Sequence, residues 1–200
     1  MHTEVVIATY LLYGSKLDGY AAAISKKAAE SARLRDSEIY AELLANHDDE
    51  IRHCKMQKDA AIALCPDIEL SNSIYTNAVG SMALSDDPLW NAVFLNLVEW
   101  RAFHQFMVAA RRLRSMGFKD VADVFYDISK DELKHVRVGW KNVKSIGGVT
   151  PEIIHHATIV IDVLDNADPV ISKHIPNALG ISTLTNLSKR VEQDMLENLL

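Results

Sequence analysis

Asp49-Glu50-Ile51-Arg52-His53 and Asp131-Glu132-Leu133-Lys134-His135 are the stretches on which the reading of this chain turns. Each sets a glutamate and a histidine three positions apart, neighbours on one face of a helix, and the two glutamates stand 82 positions apart. One Glu-x-x-His alone carries little weight: 11 glutamates and 8 histidines among 200 residues give about 0.4 such pairs by chance. Glu152 and His155 form a third copy directly behind Thr150 and Pro151. That is a helix start, where an acidic side chain complements the helix dipole, and the pair reads as structural.

Around these motifs the chain is free of helix breakers over long spans, because its 5 prolines stand at positions 66, 88, 151, 169 and 176. A helix is expected over about residues 4–33, where Ile7, Leu11, Gly14, Ala21, Ile24 and Ala28 recur near the 3.6-residue period. A second, over about 36–64, begins at a capping aspartate and carries Ile39, Leu43, Leu44, Ile51 and Ile62 on its apolar side. Residues 66–87 read as a longer, less regular connection. A third helix is expected over about 87–116, ending at Gly117, and a fourth over about 119–146, ending at Gly147-Gly148. Beyond Pro151 follow one or two more helices, interrupted by Pro169 and Pro176.

Short, long and short connections make two antiparallel hairpins joined by one long crossover. In that arrangement each Glu-x-x-His should meet a carboxylate at the same height on its hairpin partner. With the first turn near Leu34, Glu50 lies about 16 residues beyond it, and at 1.5 Å per residue the partner lands on Asp18. With the second turn near Gly117, the partner of Glu132 is Glu99. The spacings from Asp18 to Glu50 and from Glu99 to Glu132 are 32 and 33 residues, so the two halves repeat.

Asp18 and Glu99 also interrupt apolar helix faces, and a buried carboxylate is costly unless it is paired or bound to metal. Four carboxylates converging in one core repel one another. A pair of divalent cations resolves the conflict, and His53 and His135 add nitrogen donors that favour iron or manganese over magnesium. Asp49 and Asp131 fit a role outside the ligand set, accepting a hydrogen bond from a ligand imidazole and fixing its tautomer.

These motifs resemble the ferritin-like di-iron carboxylate superfamily, which includes rubrerythrin, bacterioferritin, the ribonucleotide reductase small subunit and the bacterial multicomponent monooxygenases. Asp49 to His53 matches the Asp-Glu-x-Arg-His signature of the monooxygenases in full, and Asp131 to His135 departs from it only at Lys134. The likeness covers about residues 4–146 and leaves 150–200 outside. It implies an all-α, ferritin-like four-helix bundle with additional C-terminal helices. It also implies two iron ions, or a manganese–iron pair, bridged by Glu50 and Glu132, with His53 and His135 on one metal each and Asp18 and Glu99 as terminal ligands. The reductase places its radical tyrosine four residues after the first motif histidine, where this chain has Gln57, and no Cys-x-x-Cys pair exists for a rubredoxin-like centre.

The remaining composition narrows the class. A net charge of −6 without a long basic run argues against nucleic acid as a partner. Apolar stretches such as Val5 to Tyr13 are too short to cross a membrane. Two cysteines and no leader-like N-terminus suggest a reduced, cytoplasmic protein forming a single domain over 1–200. The expected function is an O2-activating oxidase or oxygenase, supplied by an external electron donor and acting on a small organic substrate; a homodimer is compatible with this. Gly14 and Ala22, one turn either side of Asp18, are expected to leave room for that substrate, with Phe103, Phe106 and Phe125 lining it. The rival is an iron-handling ferroxidase or a peroxide-reducing protein that holds no organic substrate.

Overall fold

The computed structural model describes residues 3–69, 85–167, 170–179 and 185–199, and every regular element among them is helical. Helix α1 spans Thr3–Ala32 and α2 Ser37–Leu64; α3 spans Pro88–Ser115 and α4 Lys119–Ile146. Their boundaries follow local chemistry. Asp36 caps α2 by accepting hydrogen bonds from the backbone N–H groups of Glu38 and Ile39 at 2.9 and 3.0 Å, satisfying donors that the first turn leaves without partners. Asp87 caps α3 in the same way for Leu89 and Trp90, with Pro88 in the first turn, where its missing N–H costs nothing. Beyond α3 the chain reverses through Gly117 at φ 94°, and α4 stops at Gly147 at φ 74°. Side chains with a Cβ rarely adopt that left-handed conformation.

The four long helices pack as two intimate pairs, α1 with α2 and α3 with α4. The pairs close on one another through contacts of α2 with α4 and of α1 with α3. This is the all-α bundle that the sequence pattern implies. The expected irregular connection over 66–87 falls largely outside the described residues, as does Pro169.

The inward seam of each helix follows an alternating four–three spacing. On α1 the buried positions include Ile7, Leu11, Gly14, Asp18, Ala21, Ser25 and Ala28. On α2 they are Ile39, Leu43, Asn46, Glu50, His53, Gln57 and Ala61. A seam that averages 3.5 residues keeps facing its neighbour along the whole length of a bundle. On α2 four consecutive seam positions, Asn46, Glu50, His53 and Gln57, are polar, so the middle of this helix brings chemistry to the core in place of hydrocarbon. The expectation that Ile51 and Ile62 belong to the apolar side is corrected here: they are 53% and 43% exposed. Ile51 follows Glu50 by one residue, about 100° around the helix, and the seam is too narrow to include it.

Three shorter helical pieces follow: α5 (Pro151–Ala167), α6 (Ile175–Leu179) after a π-helical turn at Val170–His174, and α7 (Thr185–Leu199). Helix α5 packs on α3 and α7, α6 on α1 and α3, and α7 on α3 and α4. The C-terminal segment thus lies against the bundle and brings buried Ile161 and Ile175 to it. No described helix is long and apolar enough to cross a membrane.

Candidate metal centre

Glu50 and His53 come from one turn of α2, and Glu132 and His135 from one turn of α4; Asp18 on α1 and Glu99 on α3 stand across from them. All six side chains are at most 6% exposed. Their donor atoms form two overlapping sets, Glu50, Glu99, Glu132 and His135 in one and Asp18, Glu50 and His53 in the other, with the atoms of each set within 4.8 Å of one another. Either set could hold a metal ion. The two central glutamates are turned in the same sense. Glu50 directs Oε2 to His53 Nδ1 at 3.6 Å and Oε1 to His135 Nδ1 at 2.7 Å. Glu132 directs Oε1 to His53 Nδ1 at 3.6 Å and Oε2 to His135 Nδ1 at 3.5 Å. Each carboxylate therefore offers one oxygen to either histidine.

Both imidazoles face inward with Nδ1 and outward with Nε2. His53 Nε2 lies 3.4 Å from Asp131 Oδ2, and His135 Nε2 lies 3.5 Å from Asp49 Oδ2. The aspartate beside each histidine thus comes from the other motif, a crossing that spacing along the chain does not show. Arg52 ties the two aspartates together, donating to Asp131 at 2.6 Å and to Asp49 at 2.8 Å, and Lys134 donates to Asp131 at 2.5 Å. These cations explain the fourth position of each motif. His135 and then Arg52 hold Asp49 below its ordinary value, and against burial Lys134 and then Arg52 do so for Asp131; an ionised aspartate beside Nε2 favours the ring proton there and leaves Nδ1 as a lone-pair donor.

The inward atoms are not satisfied by one another. Glu50 Oε1, His53 Nδ1, Glu99 Oε1, Glu132 Oε2 and His135 Nδ1 are fully buried without a hydrogen-bond partner of acceptable geometry. Buried polar atoms are rarely left so, and a cluster of five such atoms, all oxygen or imidazole nitrogen, fits a borderline-hard divalent cation.

Electrostatics point the same way. Burial, then the charges of Glu50 and Glu99, push the Asp18 carboxyl well above its ordinary value. Burial, then Glu99 and Glu50, do the same to Glu132. Burial also works to raise Glu99, but Glu132 and His135 beside it bring it below its ordinary value. Burial disfavours a charged His135, yet Asp49, Glu132, Glu50 and Glu99 around the ring raise its pKa well above the ordinary value. Without cations, the cluster gathers protons to offset its own negative charge.

Gln57, one further turn along α2, donates from Nε2 to Asp18 Oδ2. The close approach requires Gly14, where an added Cβ would lie 1.8 Å from Gln57 Oε1. The room expected at Gly14 is therefore occupied by the tip of Gln57. A cavity of about 60 Å³ does open beside the cluster, and Asp18, Glu50, Glu99 and Glu132 all contribute to its wall. Tyr10, Tyr13 and Gly14 of α1 and Phe106 of α3 line it, and Ile161 and Ile175 of the C-terminal segment close it.

Of the expected lining residues, Gly14 and Phe106 take part and Ala22, Phe103 and Phe125 do not. Ala21 occupies the wall in place of Ala22, whose carbonyl accepts a hydrogen bond from His47 Nδ1 at 2.9 Å. Phe125 lies one layer behind, its ring centroid 5.2 Å from those of Tyr10 and Phe106, and Phe103 stacks on Trp100 at 5.3 Å. The third motif stays apart from the cluster: His155 pairs with Glu192 at 2.7 Å. Thr150 and the backbone at the start of α5 hold the exposed Glu152 below its ordinary value, its own backbone amide contributing most.

Comparison with known protein families, with curated proteins and with solved structures finds no match to this chain. What it does has to be read from the cluster and its cavity. Gln57, through Asp18, and Tyr10, Tyr13, Arg101 and Gln105, in the cavity wall, also belong to the site, although no motif in the sequence marks them for it. Gln57 was within reach, since it follows Glu50 by seven residues and His53 by four and so shares their helix face.

Proposed function

We propose that the chain is a ferritin-like di-iron protein, or a manganese–iron variant of one, that uses O2 to oxidise a small organic molecule held in the cavity beside the metals. The observation that carries this reading is the convergence of two features on the same carboxylates. Glu50 and Glu132 each present one oxygen to either histidine, and the cavity opens on those two glutamates together with Asp18 and Glu99. A protein that only stores or oxidises iron has no need of such a space.

In this reading Glu50 and Glu132, the two imidazoles through Nδ1, and Asp18 and Glu99 would together hold the two ions. Bound iron supplies the reducing electrons for O2, replenished by an external donor. The polypeptide contributes geometry and dryness. Asp131 and Asp49 hold the imidazole tautomers, Gln57 fixes the rotamer of Asp18, and the largely apolar cavity wall excludes water from the reacting centre.

The test is to fill the cavity without touching a ligand. Ala102→Leu introduces three extra carbons into its wall. The expected result is that the folded, iron-loaded variant consumes O2 at the wild-type rate while the organic product found with the wild-type protein in a cell-extract assay falls at least about tenfold. Undiminished product would remove the cavity from the account. Absence of any organic product from the wild type, with rapid reduction of H2O2, would establish the rival reading as a peroxide-reducing or iron-handling protein.

A further inference from the structure

Gly139 is buried on α4, one turn beyond His135, and its backbone is helical, so no special φ calls for glycine there. Space does. An added Cβ would lie 2.2 Å from Asn96 Nδ2 and 3.0 Å from Asn96 Cγ. Asn96 is 0% exposed and stands one turn before Glu99 on α3. Its Nδ2 donates to the backbone carbonyl of Val136, the residue after His135, at 2.8 Å. A helix carbonyl already accepts one bond from its own ladder, and the missing side chain at position 139 uncovers its second lone pair. The bond therefore ties the turn of α3 that carries Glu99 to the turn of α4 that carries Glu132 and His135. Glu99 Oε2 stands 3.7 Å from His135 Nδ1, a spacing that depends on how far one helix is advanced along the other.

This contact repeats, with the parts exchanged, the one between Gly14 and Gln57. In the first hairpin α1 supplies the glycine and α2 the amide; in the second α3 supplies the amide and α4 the glycine. Helices α2 and α4 run antiparallel, since Lys141 near the end of α4 reaches Glu42 near the start of α2 at 2.7 Å. Gln57 follows His53 toward the end of α2, and Gly139 follows His135 toward the end of α4. The two contacts thus flank the cluster at opposite ends. Asn96 Oδ1 is fully buried without a hydrogen-bond partner among the described residues. A buried amide left half satisfied is a poor source of stability, because its oxygen gives up water without a replacement. Its use lies in placing the ligands.

We infer that Asn96 is a positioning residue for the ion held by Glu99 and His135, as Gln57 is for the ion beside Asp18 and His53, so that each hairpin fastens one ion. This rests on the proposed reading of the cluster as a two-metal centre. Anaerobic Fe(II) titration of the metal-free, full-length protein, resolved into two affinities per chain, tests it together with the melting temperature. Asn96→Leu keeps the branched shape and removes both polar atoms. Its metal-free form should melt no lower than the wild type, yet bind one Fe(II) normally and the other about 10–100-fold more weakly. Gly139→Ala, which must displace the amide, should weaken the same ion, and it decides the matter where circular dichroism shows Asn96→Leu unfolded. Gln57→Ala should weaken the other ion, so combining it with either change should leave no ion at the wild-type affinity. Three results each overturn the inference while leaving the two-metal reading in place: unchanged affinities in Asn96→Leu and Gly139→Ala, equal loss of both ions in step with a lower melting temperature, or a combined variant that still holds one ion normally. A folded wild type that binds no iron overturns both.

Discussion

The tip of Gln57 stands where a Cβ of residue 14 would be, and from there it donates to Asp18. Gly14→Ala must move that amide, a flexible group, and in moving it releases the carboxylate it orients. Losing a hydrogen bond that positions a ligand typically weakens metal affinity by about 10–100-fold, and Gly14→Ala should fall in that range. Gln57→Ala should cost a similar factor. In the Gln57→Ala background, where nothing remains to displace, Gly14→Ala should have little further effect. Iron affinity across this four-protein cycle checks the point; independent, multiplying losses would mean that Gly14 acts through something other than Gln57.

Protonation gives a second prediction at this scale. In the metal-free fold Asp18 and Glu132 are held well above their ordinary values of 3.8 and 4.5, so the folded chain binds these protons more tightly than the unfolded chain does. His135 is held well above 6.5, so its stabilising contribution is present below that value and is lost as pH rises through the raised one. Both effects have one sign: stability of the metal-free protein falls as pH climbs from the ordinary carboxylate range past the ordinary histidine value. Asp49, Asp131 and Glu99 are lowered and act oppositely, but their stabilisation is lost only below the ordinary carboxylate range. The melting temperature of metal-free protein should therefore drop between about pH 5 and pH 8, and Asp18→Asn should flatten the drop. A rise over that window would contradict the electrostatic account.

Among helices, placement on the seam separates the motifs from their look-alike. Glu50 and His53, and Glu132 and His135, lie on the inward stripes of long helices that neighbours cover on several sides. Glu152 and His155 have the same spacing but open a shorter helix, and His155 turns to Glu192 at the surface. Joint replacement of Glu152 and His155 by alanine should accordingly leave bound iron unchanged, as metal analysis would show, whereas a marked loss would mean the C-terminal segment contributes a ligand. Helix limits were legible because their determinants are local: Asp36, Asp87, Pro88, Gly117 and Gly147 act within three residues of themselves. The exposure of Ile51 and Ile62 was not, because it depends on which faces the neighbouring helices cover.

For the molecule as a whole, the sequence disclosed the heights of the six cluster residues through repetition, since two hairpins of equal register must bring matching positions together. It did not disclose the crossing by which Asp131 serves His53 and Asp49 serves His135. That depends on how one pair of helices faces the other, and no spacing within a pair encodes it. The cavity was legible only in part for the same reason. Gly14 marked a close approach, but whether a side chain or open space fills it is settled by Gln57 from a different helix. The closing wall comes from Ile161 and Ile175, far along the chain from every motif.

The proposed function depends on the buried cluster holding two ions, and anaerobic Fe(II) titration of the metal-free protein, with bound metal counted per chain, tests that most directly. The account predicts about two ions for the wild type, with a clear loss in His53→Ala and in His135→Ala. Retention of full stoichiometry in both variants, or failure of the folded wild-type protein to bind iron at all, would contradict it.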